Sequence, residues 1–345
     1  MTMRRRVGVW VALGVLVLLA SAITTTVGWR PLIGPVVRPL TDARFERTPA
    51  RLERGSYLFE AGAACIGCHS EWDRTRDGHP AKAGTEGAGR TWADEDLPWL
   101  TAPNLTPDVE TGAGMWTDDM LARAIREGIG HDGRALFPIM PYARFAAMSD
   151  EDLASVVVYL RALPAVRNPL PKTVVPFPPG PLINSLPRPI TAPVPAPDVS
   201  TPERKGEYLV RIAVCAECHT PADARGNKLP GLDFAGGFPL PDAKAGHTVS
   251  SVNITPDPSG IPYYDEKLFI QTIRTGRVIA RELDDMMPWA TYRNLTDDDL
   301  KAMFAYLKTL TPVKHTVDNS LPPTRCPVCK TTHGGGERNS GAVAR

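Results

Sequence analysis

Cys65-Ile66-Gly67-Cys68-His69 and Cys215-Ala216-Glu217-Cys218-His219 decide how this chain is read. Two thiols one helical turn apart, followed at once by an imidazole, form the pattern that attaches haem c. Each thiol can form a thioether with a vinyl group while the histidine ligates the iron. The same Cys-x-x-Cys spacing serves zinc knuckles, thioredoxin-like redox pairs and disulfides, but each of these predicts a different neighbourhood. A four-cysteine zinc site needs its pairs close in sequence, whereas these begin 150 positions apart. A redox pair sits in a βαβ pattern, and none surrounds either motif. Two covalently held haems are therefore expected, through Cys65, Cys68, Cys215 and Cys218, with His69 and His219 as iron ligands.

An internal repeat surrounds the two motifs. Gly55-Ser56-Tyr57-Leu58 corresponds to Gly206-Glu207-Tyr208-Leu209, ten residues before Cys65 and nine before Cys215. Asn104-Leu105-Thr106-Pro107-Asp108 matches Asn253-Ile254-Thr255-Pro256-Asp257, and Arg126-Glu127-Gly128 matches Arg274-Thr275-Gly276. Met140-Pro141-Tyr142 matches Met287-Pro288-Trp289. Asp150-Glu151-Asp152-Leu153 with Tyr159-Leu160 matches Asp297-Asp298-Asp299-Leu300 with Tyr306-Leu307. The offset drifts only from 151 to 147, so two homologous domains with one haem each are expected, over residues 48–164 and 200–312.

Each copy reads as helical with long loops, and no convincing hairpin sequence interrupts either. Ser200-Thr201-Pro202-Glu203 has the form of a capping box with proline just inside, and Thr48-Pro49 opens the first copy without the acidic partner. Middle helices run from Thr117 to Gly128 and from about Asp265 to Gly276, and final helices run from Ser149 to Leu163 and from Thr296 to Leu310. Between the copies, residues 164–202 hold 13 prolines, which predicts an extended connector over 165–199 with no packed helix or central strand. The tail, 313–345, carries Gly334-Gly335-Gly336 and reads as poorly ordered.

Arg4-Arg5-Arg6 precede an apolar run from Val7 to Ile23, extendable to Trp29, which makes residues 1–30 a transmembrane anchor or a signal peptide. Ala20-Ser21-Ala22 resembles a cleavage site, while the length and Trp29 favour a retained anchor. Either way the remainder is exported, to the periplasmic face of the cytoplasmic membrane. At 345 residues and 43% hydrophobic the chain can fill two modest cores. A formal charge of +1, from 39 basic and 38 acidic residues, gives no electrostatic case for a nucleic-acid partner.

A haem with histidine on one side needs a second ligand, and the repeat nominates Met140 and Met287, each followed by Pro and an aromatic. Thioether sulfur stabilises ferrous iron and suits electron transfer. Met148 aligns with Leu295 and Met286 with Ile139, so both read as packing residues. Bis-histidine ligation is disfavoured because His131 faces Ile279 and His247 faces Pro98 in the alignment. His79, His131, His247 and His315 read as surface or loop residues. Arg126 and Arg274 could meet haem propionates, although a helix C-terminus already explains a basic residue there. Cys326-Pro327-Val328-Cys329 is followed by Lys330 rather than His; a local disulfide is expected, with metal binding alongside His333 the alternative.

In these residues the chain resembles the class I c-type cytochromes: Cys-x-x-Cys-His after a first helix with Gly and Tyr, a later Met-Pro, and a last helix ending in Tyr-Leu. The Asn-x-Thr-Pro-Asp and Met-Pro-Tyr/Trp segments look more particularly like the cytochrome c subunits of membrane-bound alcohol and gluconate dehydrogenases. Those subunits typically carry three attachment motifs, where this chain has two and the altered Cys-Pro-Val-Cys-Lys. The resemblance implies an all-α fold of two tandem class I cytochrome c-like domains joined by the Pro-rich linker, with an N-terminal membrane helix. It implies that Gly55 and Gly206 let the first helix cross closely over the last, near Tyr159 and Tyr306. The function so implied is single-electron transfer in a respiratory chain, between a dehydrogenase or quinol and a downstream cytochrome or oxidase, rather than enzymatic catalysis. A dihaem peroxidase or sulfur-compound oxidoreductase is the alternative, but equal Met-Pro motifs in both copies argue against one open iron. A haem sensor would need an output domain, and none is recognisable.

Overall fold

A computed structural model describes residues 3–92, 97–223, 226–241 and 248–334. The chain divides into two compact units, and the division does not follow the two repeats. The first unit combines Met1–Arg44, Trp116–Ala146 and Thr173–Pro193; the second holds Phe45–Met115, Ala147–Lys172 and Val194–Arg345.

In the first unit, the helix Met3–Thr26 contains the apolar stretch Val7–Thr26. Its 20 residues have mean hydropathy 2.4, and among the described residues this is the one helix long and apolar enough to cross a membrane. Three consecutive threonines would be costly there, but their hydroxyls donate back along the helix. Thr24, Thr25 and Thr26 reach the carbonyls of Ala20, Ser21 and Ala22 at 2.8, 2.8 and 2.6 Å. No hydroxyl donor among the three is then left for lipid to satisfy.

The middle helix of copy one, Asp118–Glu127, starts where the Thr117 hydroxyl accepts the Met120 N–H. It stops at Gly128, whose φ of 73° is left-handed and where a Cβ would stand 2.6 Å from the Tyr142 ring. Asp119 and Glu127 are buried, and an extended segment that carries no periodic pattern supplies their cation. Arg38 forks onto Asp119 at 2.6 and 2.8 Å and reaches Glu127 at 2.7 Å. The Thr41 N–H donates to the same Asp119 carboxylate at 2.7 Å. Burial works against ionised Asp119, yet the Arg38 guanidinium and the Thr41 N–H outweigh it and hold the pKa below the usual carboxylate range. The proline-rich connector departs from expectation here. Pro179–Leu182 forms one helical turn and Ile183–Ser185 a 3-10 turn, with proline in the first turn, where the missing N–H costs nothing.

The second unit is built on two helix crossings. Leading helices Pro49–Tyr57 and Pro202–Ile212 are capped by Thr48 and Thr201, which accept the N–H of Arg51 and Arg204. In copy two the cap is therefore Thr201, one residue past the Ser200 of the expected box. They pack on closing helices Asp150–Ala162 and Asp297–Thr309, capped by Ser149 and Thr296. At each crossing a glycine is obligatory. A Cβ on Gly55 would lie 2.0 Å from the Ser155 carbonyl oxygen and 2.7 Å from Tyr159 Cβ. One on Gly206 would lie 1.9 Å from the Ala302 carbonyl oxygen and 2.9 Å from Tyr306 Cβ. Around the crossings Leu58, Phe59, Val156 and Val157 are buried in one core, and Val210, Ile212, Leu300 and Leu307 in the other.

The extra residue between Gly55 and Cys65 is absorbed by a π-helical turn, Leu58–Gly62, in which the Ala63 N–H bonds back to the Leu58 carbonyl at 2.8 Å. Single π turns of this kind absorb one inserted residue without ending a helix. Each leading helix is also joined to the closing helix of the other copy. The Tyr57 hydroxyl donates to Asp299 at 2.5 Å and accepts the Thr296 N–H, while the Tyr208 hydroxyl donates to Asp152 at 2.6 Å and accepts the Ser149 N–H. Each aspartate also holds a cation from its own copy, Arg54 on Asp152 at 2.8 Å and Lys205 on Asp299 at 2.5 Å.

The all-α expectation needs correction. Four antiparallel pairs occur among the described residues: Arg90–Trp92 with Leu97–Ala102, Pro239–Pro241 with Thr248–Ser250, Arg277–Val278 with Arg281–Glu282, and Pro323–Arg325 with Thr332–Gly334. Most of these strands are two or three residues long, too short to show alternation. The last pair lies in the tail expected to be poorly ordered, and Cys326, Cys329, His315 and His333 are all buried there.

Two outcomes follow. Gly206→Ala should destabilise the chain by about 3 kcal/mol, because the added methyl meets backbone rather than a flexible side chain; urea unfolding measures it. Arg38→Ala strands two buried carboxylates and should cost about 3 kcal/mol. Because Asp119 is depressed, its contribution is present above the unfolded carboxylate range, about pH 4, and is lost as pH falls through the lower folded value. The protection of the Thr41 amide against hydrogen exchange, taken relative to its intrinsic rate at each pH, should therefore fall in the variant at neutral pH and in the parent on acidification.

Candidate haem sites

Both attachment motifs start from a strained residue. Ala64 has φ 53° and ψ 32°, and Val214 has φ 53° and ψ 24°. The left-handed region costs a residue with a side chain on the order of 1–2 kcal/mol, and its recurrence at the same place in both copies marks a turn the site requires. It lets the chain leave the leading helix and begin Cys65–Cys68 or Cys215–His219 at once. Within each short helix the thiols lie one turn apart. Burial pushes the Cys65 and Cys215 thiols up to about 12 and raises Cys68 and Cys218 as well. A thioredoxin-like pair needs a depressed thiol, and burial moves these thiols the other way.

The two histidines are held alike. His69 Nδ1 donates to the Pro103 carbonyl at 3.0 Å, and His219 Nδ1 to the Val252 carbonyl at 2.8 Å. A carbonyl can only accept, so Nδ1 carries the hydrogen and Nε2 presents its lone pair. Burial lowers the pKa of both rings, against the smaller opposing effect of the carbonyl bonds, which keeps them neutral. A neutral imidazole fixed through one nitrogen is the form that ligates iron.

Those carbonyls precede Asn104 and Asn253, and this gives the repeated loop a role that turn chemistry alone did not reveal. The Asn104 side-chain oxygen accepts the Thr106 N–H and hydroxyl at 3.0 and 2.7 Å, and its amide donates to the Val166 carbonyl at 2.8 Å. Asn253 repeats this with Thr255 at 2.9 and 2.8 Å and Val313 at 2.8 Å. The loop thus ties the carbonyl that orients each histidine to the chain leaving the closing helix. Its repetition in sequence was the available signal.

Met140 and Met287 are half-buried and occupy the same backbone turn in their respective units. The N–H of Tyr142 bonds the Met140 carbonyl at 2.8 Å and that of Trp289 the Met287 carbonyl at 2.7 Å. The intervening prolines have φ/ψ of −82°/47° and −77°/49°. Met148 and its counterpart Leu295 are fully buried core residues. Arg274 is engaged by Asp297 at 2.5 Å and by the Arg293 carbonyl. His131 stacks on Trp116 with centroids 4.3 Å apart, and His79 approaches the buried Asp285 at 3.7 Å. His247 lies outside the described residues. His315 departs most from its expected surface position, being fully buried, and Cys326 and Cys329 form no disulfide.

Within the second unit, copy two lays the segment that follows its Met-Pro against the attachment loop of copy one. Thr291 Oγ1 is 3.6 Å from where a Gly67 Cβ would stand, and Trp289 and Ala290 fill the space beside Gly78. The Gly78 N–H donates to Asp285 at 2.8 Å. The buried Tyr292 hydroxyl donates to the Ala213 carbonyl at 2.6 Å. Its pKa is raised well above the ordinary range by burial and then by Cys215, Cys218, Cys68 and Cys65, the thiols of both motifs.

Comparison with known proteins agrees with this geometry. Residues 52–164 match the cytochrome c family profile, and residues 201–307 match that of cytochrome c oxidase, cbb3-type, subunit III. The chain is 30% identical over 286 residues to the cytochrome c subunit of the quinone alcohol dehydrogenase of Gluconacetobacter polyoxogenes, covering 76% of this chain and 57% of that protein. It is 32% identical over 227 residues to a subunit of the nicotinate dehydrogenase of Pseudomonas putida, covering 62% of this chain and 17% of the relative. A dihaem c-type cytochrome of Cereibacter sphaeroides is 26% identical over 268 residues, covering 76% and 86%. The chain therefore spans less than two thirds of the first two relatives. With neutral, oriented imidazoles and paired thiols in each copy, the residues present fit the cofactor. The chain belongs to the c-type cytochromes, with two cytochrome c domains and two c-type haems.

Proposed function

We propose that this chain is a two-haem electron carrier, tethered through Met3–Thr26 to the outer face of the cytoplasmic membrane. In this reading it relays single electrons from a dehydrogenase or quinol to a downstream cytochrome or oxidase. The observation that carries the reading is the duplication of the site, with the same left-handed entry, the same carbonyl-held histidine and the same Met-Pro turn in both copies. An enzyme working at iron needs one open or displaceable position, and such an asymmetry has no counterpart in these residues.

Cys65 and Cys68 hold one haem and Cys215 and Cys218 the other, with His69 and His219 as one set of axial ligands and Met140 and Met287 as the second. When bound, each haem supplies a one-electron iron couple whose potential a thioether ligand raises. The chain's own work is to keep the coordination unchanged between oxidation states. The Pro103 and Val252 carbonyls stop the imidazoles from rotating, and the Asn104 and Asn253 loops stop the carbonyls from moving. The packing of Trp289–Tyr292 on the Gly67–Gly78 loop supports exchange between the two copies, because these buried residues of copy two lie against the attachment loop of copy one. Relatives named as dehydrogenase subunits support a dehydrogenase as the electron donor.

Met140→Ala and Met287→Ala should each abolish about half of the methionine-to-iron charge-transfer absorption of the ferric protein while leaving both haems attached. The double variant should lose it entirely and accept electrons more slowly than the parent from a dehydrogenase supplied as donor. Unchanged spectra in both single variants would remove the ligand assignment. Rapid peroxide turnover by the purified parent would replace the carrier with an enzyme.

A further inference from the structure

His315, Cys326, Cys329 and His333 converge in the tail, outside everything used above. Their ligating atoms all lie within 4.8 Å of one another, and the four residues are 0, 0, 2 and 3% exposed. His315 Nε2 is 3.3 Å from Cys326 Sγ and 3.3 Å from His333 Nε2. Ligands bound tetrahedrally at about 2.0 Å for nitrogen and about 2.3 Å for sulfur stand about 3.3–3.8 Å apart, and both of these separations match that spacing.

The protonation pattern makes the same point. His315 Nδ1 donates to the Ala235 carbonyl at 2.8 Å and His333 Nδ1 to the Gly334 carbonyl at 2.9 Å. In the neutral form each ring then turns its Nε2 lone pair inward, and two such acceptors facing each other at 3.3 Å repel unless a proton or a metal cation lies between them. Outer carbonyls that fix the histidine tautomer are the usual support of such ligands. The cysteines sit on a tight knuckle. The Lys330 N–H closes it onto the Cys326 carbonyl at 3.0 Å, and Lys330 itself is left-handed with φ 63°. The Val328 N–H points at Cys326 Sγ at 3.3 Å, and the Thr331 hydroxyl lies 3.0 Å from Cys329 Sγ. Donors aimed at sulfur suit thiolates, and two thiolates neutralise a divalent cation.

We propose that His315, Cys326, Cys329 and His333 form a closed, four-coordinate structural site for zinc. All four positions are filled by protein, which leaves no place for a substrate or water and separates a structural site from a catalytic one. The site ties the hairpin Pro323–Arg325 and Thr332–Gly334 to the second cytochrome domain at three points. These are Ala235, Gly237, whose missing Cβ would stand 2.6 Å from His315 Cε1, and the Asn253 side chain, which bonds the His315 carbonyl at 3.2 Å. Because Asn253 also belongs to the loop that orients His219, the metal braces the second haem pocket from outside.

Full-length protein with both haems, purified without added metal or chelator, should contain about one zinc per chain beside two irons. Its zinc-edge X-ray absorption should show two sulfurs at about 2.3 Å and two nitrogens at about 2.0 Å. The haem irons do not contribute at that edge. In Cys326→Ser/Cys329→Ser zinc should fall at least about tenfold while both haems remain. Should the variant fail to accumulate, the spectrum of the parent decides alone. A zinc shell without sulfur, a parent lacking zinc with Cys326 disulfide-linked to Cys329, or a variant that keeps its zinc would each overturn the assignment.

Discussion

The close crossing of leading and closing helices is the constraint from which the rest of the second unit is laid out. A backbone carbonyl, that of Ser155 in one copy and Ala302 in the other, occupies the space where any residue but Gly55 or Gly206 would place a side chain. Helices that approach so closely bring their termini into fixed relation. The end of the leading helix delivers the attachment motif, and the start of the closing helix presents its capping residue and third-position aspartate. Both are needed at once, because Asp152 and Asp299 receive a cation from their own copy and a tyrosine hydroxyl from the other. Burial, helped by the Asp299 bond, holds the Tyr57 phenol up at about 12, so it stays a donor throughout the physiological range. The crossing that builds each domain also builds the seam between them.

From that seam the sites inherit their symmetry. A left-handed residue turns the chain, a carbonyl fixes the histidine, and an Asn-Thr clamp fixes the carbonyl in both copies. Electron transfer rewards this arrangement because little should move when the iron changes charge. Strain at Ala64 and Val214 and burial of neutral imidazoles both act against stability, and the packed helices beneath them offset the cost. The features without a counterpart in the other copy are the π turn in copy one, the Arg38 segment beside the first middle helix, and the metal-binding residues beside copy two.

Much of this is legible from residues alone. The Cys-x-x-Cys-His motifs, the paired glycines and the Met-Pro segments stand out because the chain states each of them twice. The caps at Thr48, Thr117, Ser149, Asp265 and Thr296 lie where the residue types placed them. What stays hidden depends on contacts distant in sequence or on elements too short to have a period. The hairpins are mostly two or three residues a side, and Arg38 reaches Asp119 across 81 positions. The glycines of the tail suggest disorder; Gly335 and Gly336 lie outside the described residues, and the described part, 313–334, is arranged by polar side chains rather than apolar spacing. Cys329 and His333 are four apart and His315 lies eleven before Cys326, a spacing compatible with one metal site. The lysine after Cys329 draws attention to haem attachment instead.

The central claim is that each half of the molecule holds one haem through its own cysteine pair, and intact mass under denaturing conditions tests it most directly. Chain exported by a cell competent in cytochrome maturation should weigh two haems more than its polypeptide. Cys215→Ala/Cys218→Ala should weigh one haem more and keep the ferrous spectrum of the first site. A parent with the mass of bare polypeptide, or a variant that still carries both haems, would contradict the account.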